Sequence, residues 1–431
     1  MVDTTILERL NIRLDELPAK LEFKKGTNGH SRKLKFLVTG GCGYLGYELA
    51  AAIHGLGGHV TLLDLQIPPR IEKCLDDALC FIKGDVCKYD SVFEACKGVD
   101  CVFHVASFGM SGKDQLDKEK SYNVNVNGTK NVIRACKEVG VSKLIYTSSY
   151  NVVLGFQPIE NGNDFVPYAP VEEMVDHYSK SKQLADKLVL AANETDIQGG
   201  GKLYTCCLRP AGIYGPLERR HMHRVASFIN QGLILFSMGN AMVDWTHVNN
   251  LVQAHLLAVP GLSKASNRIA AGQAYFIADG NPVKVFDFLR PIFYGFGKIP
   301  PRYQLPATIT YFFGFLMELL HLVLRPIYCF EPLLTRNEVL KMTIPHYQDM
   351  SRVMKELGYR PVKYSFADVV RLYMKENYPE LEKKYSVYGE HLNTSQDSTT
   401  TSLSTISYQL LIILLSIIFI LMIVPISNVL F

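Results

Sequence analysis

Tryptophan occurs once in this 431-residue chain, and the ten cysteines include no Cys-x-x-Cys pair. No group of histidines and cysteines has zinc-like spacing, so no metal is expected. Cys206 and Cys207 are adjacent, and scattered thiols of this kind are expected to stay reduced in the cytosol. Charge of one sign is also scarce. The net charge is +4, and no basic run carries interleaved aromatics, so no nucleic-acid partner is expected. A signal-peptide pattern is missing too. Ile6, Leu7, Leu10, Leu14 and Leu17 recur at helical spacing among charged residues. That predicts a short amphipathic helix and a polar linker over residues 1–33.

Apolar residues, by contrast, are plentiful: 48% of the chain is hydrophobic and only 20% charged, a globular composition with an apolar bias. Residues 406–431 contain no charge. As a helix, residues 408–430 would be about 34 Å long, enough to cross a hydrocarbon core. They follow a Ser/Thr-rich stretch within a polar linker over residues 379–405. A single-pass C-terminal membrane anchor is expected, with the main domain on the cytosolic side and the endoplasmic reticulum as the favoured membrane.

The most informative stretch is TGGCGYLG at residues 39–46, behind the apolar run LKFLV. A buried parallel strand that ends abruptly in glycines turns sharply into a helix, here predicted over residues 44–55. Gly40 permits the bend, Gly43 lets backbone N–H groups approach a pyrophosphate, and Gly46 lets the helix lie close. The helix N-terminus, with Tyr44 and Leu45, adds unpaired N–H groups and positive dipole. Asp64 follows the glycines by a little over twenty residues, at the end of a second strand, HVTLLD. A carboxylate there accepts both hydroxyls of an adenosine ribose and repels a 2′-phosphate, so NAD is expected rather than NADP. Further strands are predicted at residues 79–86, 100–107 and 143–149, with helices at 89–96 and 118–139 between them. Asp85 would meet the adenine edge. Strands alternating with helices imply an α/β fold with a doubly wound parallel sheet. His104, on an apolar strand, reads as a satisfied structural histidine.

The chemistry lies further on. YSKSK at residues 178–182 opens a helix predicted to about residue 192. Residues four apart share a helix face, so Tyr178 and Lys182 point into one cleft. A phenol near pKa 10 is a poor base at neutral pH; a neighbouring ammonium and a positive nicotinamide would favour the phenolate. Ser149, at a strand end, can hydrogen-bond the same substrate oxygen, with Ser148 as the fallback.

The glycine motif, Asp64, GDV at 84–86, NVNGT at 125–129, YTSS at 146–149, YSKSK and RPAGIYGP at 209–216 resemble extended short-chain dehydrogenases/reductases. The closest resemblance is to the 3β-hydroxysteroid dehydrogenase/isomerase family, and within it to membrane-bound 42E-type members, which share FHVASFGMSG at 103–112. The resemblance runs from about residue 34 to residue 374. It implies Tyr178 as proton acceptor, Lys182 as its partner, Ser149 as carbonyl-binding hydroxyl and Asn125 as the asparagine supporting the lysine. The cofactor contacts implied are Gly40, Gly43, Tyr44, Leu45, Gly46, Asp64, Asp85, Val86, Ala106, Tyr178, Lys182 and Pro210. A homodimer is a family expectation.

The expected organisation is an NAD-binding Rossmann domain at 34–215 and a smaller, interleaved substrate-binding lobe at 216–378. Short strands at 244–248 and 274–278 are placed in that lobe, with a helix at 366–377. Residues 305–324 form an apolar stretch interrupted by Glu318 and His321, favoured as a lid or monotopic helix rather than a span. The expected activity is NAD-dependent oxidation of a lipophilic secondary alcohol, a 3β-hydroxysteroid or sterol. Two alternatives compete: a nucleotide-sugar epimerase or dehydratase, and a non-catalytic membrane-tethered NAD-binding protein.

Overall fold

The computed structural model describes residues 33–388 together with Leu10. The other residues of the expected amino-terminal helix and linker, and residues 389–431 with the expected anchor, lie outside the described residues. Leu10 itself is buried among the core of the main unit, and its carbonyl accepts a hydrogen bond from Gln253.

Seven strands build the central sheet: β1 (Lys35–Thr39), β2 (His59–Asp64), β3 (Leu79–Lys83), β4 (Cys101–His104), β5 (Lys143–Thr147), β6 (Lys202–Pro210) and β7 (Gln273–Ile277). Their spatial order is β7-β6-β5-β4-β1-β2-β3, with every neighbouring pair parallel. A short antiparallel strand, Thr195–Asp196, adds to β6. The order runs one way from β1 to β3 and the other way from β4, so the switch point lies between β1 and β4. Ligands bind at such a point in open α/β sheets, outside the C-terminal strand ends.

Alternation along β1 shows why the strands read as continuous apolar runs. Phe36 and Val38 join the core beneath α1 (Tyr44–Gly55), while Leu37 joins the opposite core. Both faces are covered, so neither needs polar residues. The second face carries α2 (Tyr89–Cys96), α3 (Gly128–Val139) and α4 (His177–Ala191). Asp176 caps α4, its Oδ1 accepting from the Ser179 N–H at 2.7 Å. α5 (Val248–Gly261) packs beside α1 on the first face.

Three expectations are corrected. The strand expected in the smaller lobe at 274–278 is β7, the sheet edge beside β6; its buried run Ala274–Ala278 looks the same wherever a strand is covered. The helical stretch 118–139 is broken into Lys118–Tyr122, a π-helical turn at Asn123–Asn127, and α3. The linker expected from residue 379 begins as a helix, Pro379–Lys384, and Val387 is buried against the lobe.

The lobe is held by stacked rings. Trp245 lies 4.1 Å from Phe288, Phe288 3.8 Å from Phe366, and His247 3.6 Å from Tyr364. The strand expected near 244–248 is present as Trp245–His247, paired with Gly212–Tyr214. α6 (Ala307–Leu324) is long and apolar enough to cross a membrane by length and composition. Its faces are inverted. Thr310, Gly314, Met317, Glu318 and His321 are buried, whereas Ile309, Phe312, Phe315, Leu319, Leu322 and Val323 are exposed. Glu318 pairs with Arg336 of α7 (Arg336–Thr343) at 2.7 Å, and His321 Nδ1 meets the Phe330 carbonyl at 2.9 Å. The polar groups that interrupt the sequence are satisfied inside the protein.

Candidate active site

The glycine turn follows β1 at the switch point. Gly40 has φ +67°, and a Cβ there would stand 2.7 Å from the Ala106 Cα. A Cβ at Gly46 would stand 2.1 Å from the Gly40 carbonyl oxygen, so helix and turn are in direct backbone contact. Gly43 is the N-cap of α1 and supplies no side-chain cap, which leaves the first N–H groups, at Tyr44, Leu45 and Gly46, for a ligand. Asp64 ends β2 with its Oδ2 accepting from the Cys42 N–H at 2.9 Å and Oδ1 from the Leu65 N–H at 2.8 Å. The ribose carboxylate expected from spacing therefore also braces the turn.

The remaining expected cofactor contacts stand along the same edge. Asp85 Oδ1 accepts from the Cys87 N–H at 2.9 Å, and the Val86 carbonyl accepts from Asn131 at 2.9 Å. Ala106 follows β4, and Pro210 ends β6.

Tyr178 and Lys182 share one face of α4 and are 4% and 1% exposed. Ser149, two residues beyond β5, lies close enough to the Tyr178 phenol for its hydroxyl to lower the phenol's pKa; it also caps a 3-10 turn, accepting from the Asn151 N–H at 3.2 Å. Ser148, the fallback, is buried with its hydroxyl unpartnered. Lys182 Nζ donates to the Thr147 carbonyl at 2.6 Å and lies 4.1 Å from the centroid of the Tyr146 ring. Asn125 sits in the π-helical turn. Its carboxamide exchanges two 2.8 Å hydrogen bonds with the Phe108 backbone and donates a third, also 2.8 Å, to Ser181 Oγ.

Electrostatics modify the expected picture. Burial pushes the Tyr178 phenol up to about 12, offset in part by the Ser149 hydrogen bond and the charge of Arg220, while Asp176 acts upward. Burial also brings Lys182 down to about 7, with Asp186 opposing. In the protein alone burial holds the phenol above its usual value, whereas the expected lowering joins the lysine ammonium with a positive nicotinamide. Three contributors were not legible in the sequence: the Thr147 carbonyl and Tyr146 ring that seat Lys182, and Arg220. Each depends on which chain segments meet.

The cradle fits a dinucleotide. A cofactor pyrophosphate needs backbone that side chains leave bare and uncapped helix N–H groups, and residues 40–46 provide both. The Tyr44 hydroxyl, on the first residue of α1, is buried without a hydrogen-bond partner and faces Gly215. The residues that would hold the cofactor are Gly40 to Gly46 at the pyrophosphate, Asp64 at the ribose and Tyr178 with Lys182 at the reacting end.

The profile of the 3-beta hydroxysteroid dehydrogenase/isomerase family matches residues 37–307. Short-chain dehydrogenase/reductase family 42E member 1 of Danio rerio is 45% identical over 355 residues, covering 82% of this chain and 91% of its own length. The human protein of that name is 44% identical over 345 residues, covering 79% and 87%. A sterol-4-alpha-carboxylate 3-dehydrogenase, decarboxylating, from Mus musculus is 33% identical over 341 residues, covering 78% and 89%. Among solved structures, a dTDP-glucose 4,6-dehydratase from Streptomyces venezuelae with NAD bound has a TM-score of 0.60 at 21% identity, covering 80% of this chain and 99% of its own. A Bacillus cereus UDP-glucuronic acid 4-epimerase in complex with NAD scores 0.57 at 20% identity, covering 82% and 100%. These two share the fold.

Proposed function

The chain belongs to the 3-beta hydroxysteroid dehydrogenase/isomerase family, an extended branch of the short-chain dehydrogenases/reductases, and on that premise we propose that it oxidises a secondary alcohol on a steroid or sterol with NAD. The observation that carries the reading is the clustering of Tyr178, Lys182 and Ser149 at the C-terminal end of β5, on the same side of the sheet as the glycine turn. NAD, held by the glycine turn and Asp64, would supply the hydride acceptor and a positive charge that favours the phenolate. Ser149 orients the substrate hydroxyl. Tyr178, as phenolate, takes the hydroxyl proton while the carbinol C–H bond breaks and the carbonyl forms. Lys182 seats its amine on the Thr147 carbonyl and the Tyr146 ring, and in its protonated form favours the phenolate.

The sterol-carboxylate dehydrogenase relatives support a lipophilic substrate, and so does the exposed apolar face of α6, which suits a protein at a lipid surface. Nucleotide-sugar enzymes share the fold, but an outward row of Phe312, Phe315, Leu322 and Val323 has no use in handling a soluble sugar nucleotide. The test is a screen of detergent-solubilised full-length protein with NAD against steroids, sterols and UDP-sugars, following NADH. Reduction of NAD by 3β-hydroxy sterols supports the reading. Turnover of UDP-sugars alone would replace it.

A further inference from the structure

We infer that His104 is a positioning residue, a neutral imidazole protonated on Nε2 that ties the glycine turn to Asn125 and to the helix bearing Tyr178. The inference rests on the dehydrogenase reading only in treating Tyr178 and Lys182 as the reacting pair.

β1 and β4 are neighbours at the switch point, and Thr39 pairs with His104 in register. Both side chains are fully buried. His104 Nδ1 lies 2.7 Å from Thr39 Oγ1, and Nε2 lies 2.9 Å from Thr129 Oγ1. Thr129 Oγ1 in turn donates to the Asn125 carbonyl at 2.6 Å. A hydroxyl has one proton. That of Thr129 is spent on Asn125, so towards His104 it can only accept, and Nε2 must carry the hydrogen. Nδ1 then holds a lone pair, and Thr39 donates to it while accepting the Ala106 N–H at 3.3 Å. The other tautomer would offer the single Thr129 proton two buried acceptors and leave one unmet, which is unfavourable in a dry interior. Burial and the charge of Lys182 hold the imidazole at about 3, so it stays neutral at physiological pH.

The chain of hydrogen bonds thus has one direction, from the Ala106 N–H through Thr39, His104 and Thr129 to the Asn125 carbonyl. Beyond Asn125 the line continues. Its carboxamide donates to Ser181 Oγ, which donates to the Tyr178 carbonyl at 2.8 Å. The imidazole also packs on the Tyr146 ring, 5.3 Å between centroids, on which Lys182 Nζ rests. His104 therefore reaches Lys182 through the Tyr146 ring, and the Tyr178 backbone carbonyl through Thr129, Asn125 and Ser181, and the line starts at Ala106, which packs closely against Gly40. That is more than the satisfied core histidine which its sequence context suggests.

The test uses full-length protein labelled with 15N-histidine in detergent, with the His104 signals assigned by their loss in His104→Gln. The expected spectrum is a neutral Nε2–H tautomer, unchanged between about pH 5 and pH 8. An Nδ1–H tautomer, or titration in that window, overturns the inference. In turnover, His104→Leu should lower kcat at least about tenfold while the NAD dissociation constant moves less than about threefold. His104→Gln, which can accept and donate, should return to within about threefold of the wild type. Wild-type kcat in His104→Leu would refute the role. So would equal losses of kcat and NAD affinity in both variants, which marks a purely structural residue. If His104→Leu does not fold, the ring nitrogens and the Gln variant decide. If no alcohol is turned over by any form, the dehydrogenase reading fails, and the nitrogen spectrum still decides on His104.

Discussion

Three glycine-to-alanine substitutions separate the close packing of the dinucleotide turn from its ligand contact. At Gly46 the new Cβ would stand 2.1 Å from the Gly40 carbonyl oxygen and 2.9 Å from the Gly41 Cα. Both are backbone atoms and neither can swing aside. Overpacking costs about 1–3 kcal/mol, and a backbone clash belongs at the upper end. Gly46→Ala should therefore lower the unfolding midpoint by about 4 °C. Because the turn must shift to relieve the clash, NAD affinity should fall about a hundredfold. Gly43 differs. Its φ of −71° suits any residue, and a Cβ meets the Gly40 oxygen at 3.1 Å, so Gly43→Ala should stay within about 1 kcal/mol of wild-type stability. Its methyl would nevertheless stand at the uncapped helix N-terminus, and NAD should bind at least about tenfold more weakly. Gly57→Ala, with open space but φ +81°, should cost about 1–2 kcal/mol of strain and leave NAD binding alone. Thermal unfolding followed by circular dichroism, with calorimetric NAD titration, reads both quantities. Wild-type stability and affinity in Gly46→Ala would refute the close approach, and wild-type affinity in Gly43→Ala would take the pyrophosphate off the turn.

Tyr178→Phe should bind NAD normally and lose about 10²–10⁴-fold in kcat; undiminished turnover removes the phenol from the reaction. Since the phenol sits at about 12 in the protein alone, the phenolate fraction grows with each pH step through the neutral range, and kcat/KM for oxidation should climb towards alkaline pH. A flat profile between about pH 6 and pH 9 would contradict a phenolate base. Lys182 is brought down from 10.5 to about 7, so between those values the unfolded chain binds more protons and stability rises with pH. The burden is fully present below about pH 7 and amounts to at most about 5 kcal/mol. Lys182→Met should thus be inactive yet more stable at neutral pH, with a flatter stability profile up to about pH 10; a lower midpoint at pH 7 would refute the buried-charge argument. Asp186 and Arg209 form a buried pair at 2.8 Å, and Asp186→Ala, by stranding the guanidinium, should cost about 3–5 kcal/mol in denaturant unfolding.

Local patterns were enough for the sheet and its cofactor edge. An apolar strand running into Gly40, Gly43 and Gly46 has few other uses, and a parallel strand covered on both faces cannot hide its composition. The i, i+4 spacing of Tyr178 and Lys182 likewise survives any tertiary arrangement, because the helix alone imposes it. The strand at Ala274–Ala278 was legible as a strand but not as a sheet edge, since pairing partners are chosen by contacts far apart in the chain. The π-helical turn at Asn123–Asn127 leaves no mark in NVNVN that distinguishes it from ordinary helix.

Sequence by itself determined where the glycine turn lies, that Tyr178 and Lys182 share one helix face, and that both termini carry helix-period apolar patterns. Tertiary structure decided the rest. It seated Lys182 on the Thr147 carbonyl and the Tyr146 ring, joined Thr39, His104, Thr129 and Asn125 into one line, and turned the apolar face of α6 outward. The physical reason is the same in each case. Periodicity and propensity act over a few residues, whereas desolvation and hydrogen-bond direction depend on which distant groups burial brings together.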